Sequence, residues 1–99
     1  MNTRFTWDSA KARRNERIRG ISFETAKEVF VDPNHVVGEN YFIEDQGEQR
    51  YQVIGMTRKL LLLVVVFVDR SDPDREIIHI ISARKAVEYE QGIYEDQFR

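Results

Sequence analysis

Leu60–Val68, LLLLVVVFV, decides the fold: nine consecutive apolar residues held between Lys59 and Asp69. A membrane-crossing helix needs about 20 apolar residues, so the run is too short to span a bilayer. An amphipathic surface helix would interrupt it with a polar face. The run therefore predicts a strand buried on both sides, with other elements lying against it and beside it.

Working outward, Arg50–Thr57, RYQVIGMT, predicts the preceding strand, with Arg50, Gln52, Ile54 and Met56 on one side and Tyr51 and Val53 on the other. Arg58-Lys59 turns the chain into the central run. Ser71-Asp72-Pro73-Asp74 turns it again into Glu76–Ile81, EIIHII, so the sheet is expected to be an antiparallel meander. Upstream, Tyr41-Phe42-Ile43 suggests a further strand, followed by a turn at Asp45-Gln46-Gly47.

The N-terminal part opens on a short strand, Arg4–Trp7. Asp8 is placed to cap a helix over Ser9–Arg19, and Gly20 suits its left-handed end. Ser22 caps a second helix with Phe23, Ala26, Val29 and Phe30 on its core face, ended by Asp32-Pro33-Asn34. A third helix is expected to start at Ser82, to break near Gly92 and to be followed by a last turn docked through Ile93, Tyr94 and Phe98. The expectation is one α+β domain over residues 1–99: a short N-terminal strand, two helices, an antiparallel meander around strand 60–68, and a C-terminal helix.

The 99 residues contain no cysteine, which excludes disulfides and thiolate metal sites. The opening MNTRFTWDSAKARR has no apolar leader core, so a cytoplasmic protein with no membrane association is expected. The net charge of −2 conceals blocks: six basic and two acidic residues in 1–20, one and seven in 21–48, four and one in 49–70, four and seven in 71–99. Such blocks suit separate surfaces for separate partners, or simply solvated faces.

Ser82-Ala83-Arg84-Lys85 is unusual for the start of a helix, where cations oppose the helix dipole. A bound phosphate would account for it, held by free amides, the Ser82 hydroxyl and Arg84. The plainer account is an exposed basic pair offset by Glu88. His79, between Ile77 and Ile81, is either a hydrogen-bonded structural residue or a proton-transfer group. Arg50 is an edge charge or a phosphate contact, and Glu48 a loop carboxylate or a base. Lys11, Arg13, Arg14, Arg17 and Arg19 make the first helix basic enough to meet nucleic acid or an acidic protein. The two histidines have no ligand spacing, so no metal site and no cofactor are expected. No Gly-rich phosphate loop, nucleophile elbow or triad spacing is present.

Trp7-Asp8, Lys11, Asn15, Gly20-Ile21-Ser22-Phe23-Glu24, Ala26, Phe30, Ile54-Gly55, the run 62–67 and Ile80-Ile81-Ser82-Ala83-Arg84-Lys85-Ala86 together resemble the BrnT family, toxins of bacterial type II toxin–antitoxin pairs. The resemblance covers Phe5–Glu88. It implies a RelE-like fold and a metal-independent endoribonuclease that inhibits translation, using the RNA 2′-hydroxyl as nucleophile. It also implies a BrnA-like ribbon-helix-helix antitoxin that joins the toxin in a hetero-oligomer and alone meets operator DNA. Arg84 is carried over from the family's I-S-A-R, with Arg50, Lys11, His79 and Glu48 as further catalytic candidates and Lys85, Ser82, Trp7 and Arg19 as RNA contacts. Arg19 stands where family members commonly have His, and His79 where many have Arg. The alternative is a non-catalytic binding module or co-repressor acting through its antitoxin.

Overall fold

A computed structural model describes residues 2–40 and 48–99. The predicted strand at Tyr41–Ile43 and the turn at Asp45–Gly47 lie outside the described residues. The elements run β1 (Thr3–Trp7), α1 (Ser9–Arg19), α2 (Phe23–Ala26) continuing as a 3-10 turn (Lys27–Val31), β2 (Val36–Asn40), β3 (Arg50–Met56), β4 (Leu62–Asp69), β5 (Glu76–Lys85), α3 (Glu88–Glu95) and a 3-10 turn (Asp96–Phe98). The result is a mixed α+β architecture with a five-stranded sheet in the order β1-β5-β4-β3-β2.

The central run behaves as expected for most of its length. Leu63, Val64, Val65, Phe67 and Val68 are all buried in β4, which pairs antiparallel with β3 on one side and β5 on the other. Leu60 and Leu61 instead belong to the connecting turn. Leu60 adopts the left-handed conformation (φ 64°) and is 78 % exposed, and Thr57 closes the turn through Leu60 N and Leu61 N. β2, β3, β4 and β5 form the antiparallel meander. β1 breaks the pattern: it adds parallel to β5 at the sheet edge.

One face of the sheet is covered by the helices. Val53, Leu63, Val65, Phe67, Ile78, Ile80 and Ala83 pack there against Ile21, Phe23, Ala26 and Val29. Gly55 makes this close approach possible, because a Cβ there would lie 2.8 Å from Val29 Cβ and from its carbonyl oxygen. The end caps are as the residue types dictate. Asp8 accepts from Lys11 N, Ser22 accepts from Thr25 N, and Gly20 takes φ 73°.

The expectation of a helix from Ser82 is overturned. Ser82–Lys85 continues β5, with Leu63 opposite Lys85, Val64 opposite Arg84 and Val66 opposite Ser82. β4 is buried over most of its length, and its backbone groups would be orphaned without a partner over that whole span. Strand pairing therefore outweighs the helix-start signal of Ser-Ala-Arg-Lys. The register slips by one residue between Val66 and Phe67, a bulge that leaves Ile81 unpaired on β5. The slip reverses the alternation, so Ala83 turns into the helix-covered core and Arg84 to the other face.

β1 stops opposite Ile80, and α1 then follows the bare edge of β5. Asn15 replaces the missing strand: its Nδ2 donates to Ala83 O (2.9 Å) and Ile21 O (2.9 Å), and its Oδ1 accepts from Ala83 N (3.2 Å). α3 begins only at Glu88 and runs through Gly92 to Glu95, so Gly92 does not break it. It covers one end of the second sheet face, where Ile54, Val64, Ala86 and Tyr94 make a small core. Asp32 ties this helix down, accepting from Tyr94 Oη (2.6 Å) and Met56 N (2.8 Å). Among the described residues, no helix is long and apolar enough to cross a membrane.

Candidate active site and nucleic-acid interface

The second face of the sheet is built by the strand positions that alternate with the core. Arg50 lies opposite Val68, Val68 opposite His79, and His79 opposite Thr6, forming one row across four strands. Neighbouring strands lie about 4.8 Å apart, so Arg50 and His79 are anchored about 10 Å from one another on the same side. The next row holds Gln52, Val66 and Ser82, and the one beyond it Ile54, Val64 and Arg84. In the first row Val68 is buried between the half-buried Arg50 and His79, and in the second Ser82 borders a cleft beside α1.

His79 is half-buried, and its Nδ1 lies 2.8 Å from Thr6 Oγ1. Burial lowers its pKa below 6.5, and the positive charges of Arg70 and Lys11 push the same way against Glu48 and Asp8. Burial and the two cations each favour the neutral imidazole. Glu48 is gripped by Arg70 through two bonds of 2.9 and 3.0 Å. That pairing holds the Glu48 carboxyl below its usual range, with further help from the charges of Arg70, His79 and Arg50, and it raises the Arg70 guanidinium. Glu48 is thus a paired anion that fixes Arg70 beside the row, while His79 has the more suitable character for a base.

Arg84 stands elsewhere. It lies two rows from His79, about 13 Å measured along a strand, and its guanidinium binds Glu90 of α3 through two 2.7 Å bonds. Glu90, with a side chain only 8 % exposed, also accepts from Val87 N (2.9 Å), closing the first turn of α3. The pair drives the two groups apart in titration: Arg84 up, Glu90 down. The amides of Ser82–Lys85 are strand amides, so the helix-terminal phosphate site expected there does not form, and Glu90 rather than Glu88 neutralises Arg84.

The other expected residues divide in the same way. Lys11 is exposed on α1, and its charge reaches His79. Arg19 and Ser82 line a cleft between α1 and β5. Lys85 is exposed, and alternation puts it on the face opposite Arg84. Trp7 is not at this surface: it packs edge-on against Phe23 at 5.9 Å, in the helix-covered core. Arg70, Thr6 and Glu90 were not singled out by the sequence. For Thr6 and Arg70 only strand pairing reveals the neighbourhood of His79, and for Glu90 only the bulge reveals that of Arg84.

Fold and site define a small α+β protein whose sheet is covered by α1 and α2 on one side and carries histidine and cations on the other, where α3 covers only one end. Residues 7–90 match the family described as the ribonuclease toxin BrnT of type II toxin–antitoxin systems, and the chain belongs to that family. A crystal structure of the Brucella abortus ribonuclease toxin BrnT has the same fold, with a TM-score of 0.62 and 23 % identity, over 88 % of this chain and 100 % of that one. No curated protein matches the chain in sequence.

Proposed function

We propose that this ribonuclease toxin cleaves RNA at the Arg50–His79 row, without a metal, using the 2′-hydroxyl of the substrate. The observation that carries the reading is His79, held by Thr6 on the same sheet face as Arg50, with Lys11 and the Glu48–Arg70 pair close by. His79 removes the 2′-hydroxyl proton, and the freed oxygen attacks the adjacent phosphorus. The bond to the 5′ oxygen breaks, leaving a 2′,3′-cyclic phosphate, and that oxygen takes a proton from solvent. Arg50 stabilises the charge that develops on the phosphoryl oxygens, and Lys11 adds electrostatic support. Arg84 is given a different task from the one expected: through Glu90 it anchors α3.

In this reading the single 1–99 domain is RelE-like, acts in the cytoplasm by inhibiting translation, and is silenced by a BrnA-like ribbon-helix-helix antitoxin that carries the pair to operator DNA. The test is RNA incubated with purified toxin in EDTA. Cleavage is expected to persist, with Arg50→Ala slowing it about 100- to 1,000-fold, the usual cost of one transition-state contact. His79→Ala is expected to slow it comparably. Absence of cleavage, or growth arrest undiminished in both variants, would favour the non-catalytic module instead.

A further inference from the structure

α1 presents Lys11, Arg14, Asn15, Ile18 and Arg19 along one side, the three-and-four spacing of a single helical face. Asn15 is consumed in holding β5. The others border a cleft of about 380 Å³, closed on its far side by Ile81 and Ser82 at the β5 bulge. From Lys11 to Arg19 the helix advances about 12 Å. Three cations along that length, with no acidic side chain among the lining residues, form a short positive track. The track ends at Lys11, whose charge is felt at His79.

We infer that this cleft is the seat of the RNA strand flanking the scissile phosphate, and that it accepts single-stranded rather than duplex RNA. The inference rests on the proposed cleavage at His79 and adds the path by which substrate reaches it. Arg14 and Arg19 pair with successive phosphates, while Ile18 (61 % exposed) and Ile81 offer apolar contact to base faces. Apolar contact of Ile18 and Ile81 with base faces needs bases that are not already stacked in a duplex, which favours a single strand. An acidic peptide of the antitoxin is the competing occupant. A docked peptide helix draws its affinity from a continuous apolar stripe, and two isoleucines separated by cations do not supply one.

The experiment is fluorescence anisotropy with a fully 2′-O-methylated single-stranded oligonucleotide, which lacks the nucleophile and so reports binding whether or not the protein cuts. In Arg14→Glu/Arg19→Glu the affinity is expected to fall at least tenfold. In Arg14→Gln/Arg19→Gln the slope of log affinity against log salt is expected to flatten by about 1.4, roughly 0.7 for each lost phosphate contact. The glutamine pair also serves should the glutamate pair fail to fold. A cleavage assay on unmodified RNA should show KM rising far more than kcat falls. Unchanged affinity and salt slope would overturn the inference even if His79→Ala abolishes cleavage. So would equal binding of the matching duplex, or loss of antitoxin binding with RNA binding intact. Failure of the wild-type protein to cut RNA would instead overturn the catalytic reading, with the oligonucleotide result standing apart from it.

Discussion

In the proposed reaction His79 serves as a base only while its ring is neutral, and its surroundings favour that form. Burial and the nearby cations Arg70 and Lys11 outweigh Glu48 and Asp8, so protonation is postponed to a pH below 6.5. The acid limb of kcat/KM against pH is accordingly expected below 6.5, with activity rising through it and level by neutrality. A limb at or above 6.5 would remove His79 as the titrating group. Thr6 takes part by holding Nδ1 at 2.8 Å, which orients the ring on the row. From the sequence, His79 was recognisable as an oddity among isoleucines. Its partners were not, because Thr6 lies 73 positions away and is brought beside it only by parallel pairing.

The elements owe their positions to a few substitutions of one kind of bonding for another. Asn15 is the clearest, because its single amide satisfies both backbone groups of Ala83 and the Ile21 carbonyl at the sheet edge. Asn15→Ala leaves three buried groups without this partner, and one such group costs about 1–3 kcal/mol. With each kcal/mol lowering Tm by about 4–8 °C in a domain of this size, a fall of 10 °C or more is expected in calorimetry. A change of under 4 °C would mean that the edge is held by something else. The first helix, its two caps and the β4 core were readable from local signals, because capping and burial act within a few residues. The end of β5 was not. Ser82–Lys85 carries a plausible helix start, yet β4 demands a partner there, and the bulge that decides which way Arg84 points leaves no local mark in the sequence.

Across the whole molecule the groups that titrate on the acid side act in one direction. Glu90 is held low by Arg84 and by the Val87 amide. Asp32 is held low by Tyr94, Asn34 and Met56 against the effect of burial, while burial and then the bond to Asp32 raise Tyr94 to about 12. A carboxyl with a depressed folded pKa contributes stability that is present above its unfolded value and lost as pH falls through the folded one. His79, with a depressed pKa of its own, also withdraws stability as pH falls below 6.5. Thermal unfolding is therefore expected to move down between pH 7 and pH 5 and more steeply below 4.5. A midpoint flat from pH 7 to pH 2 would show these groups to be energetically idle. At this scale the sequence disclosed the charge blocks and the family pattern, but not which cations meet, since Lys11, Arg50, Arg70 and His79 come from four separate elements or turns. The parallel edge pairing of β1 with β5 has a temporal meaning as well. The first strand to leave the ribosome must wait for the last before its place in the sheet exists. Until residues 76–85 have been made, Thr6 has no imidazole beside it and the cleft along α1 lacks the wall that Ile81 and Ser82 supply.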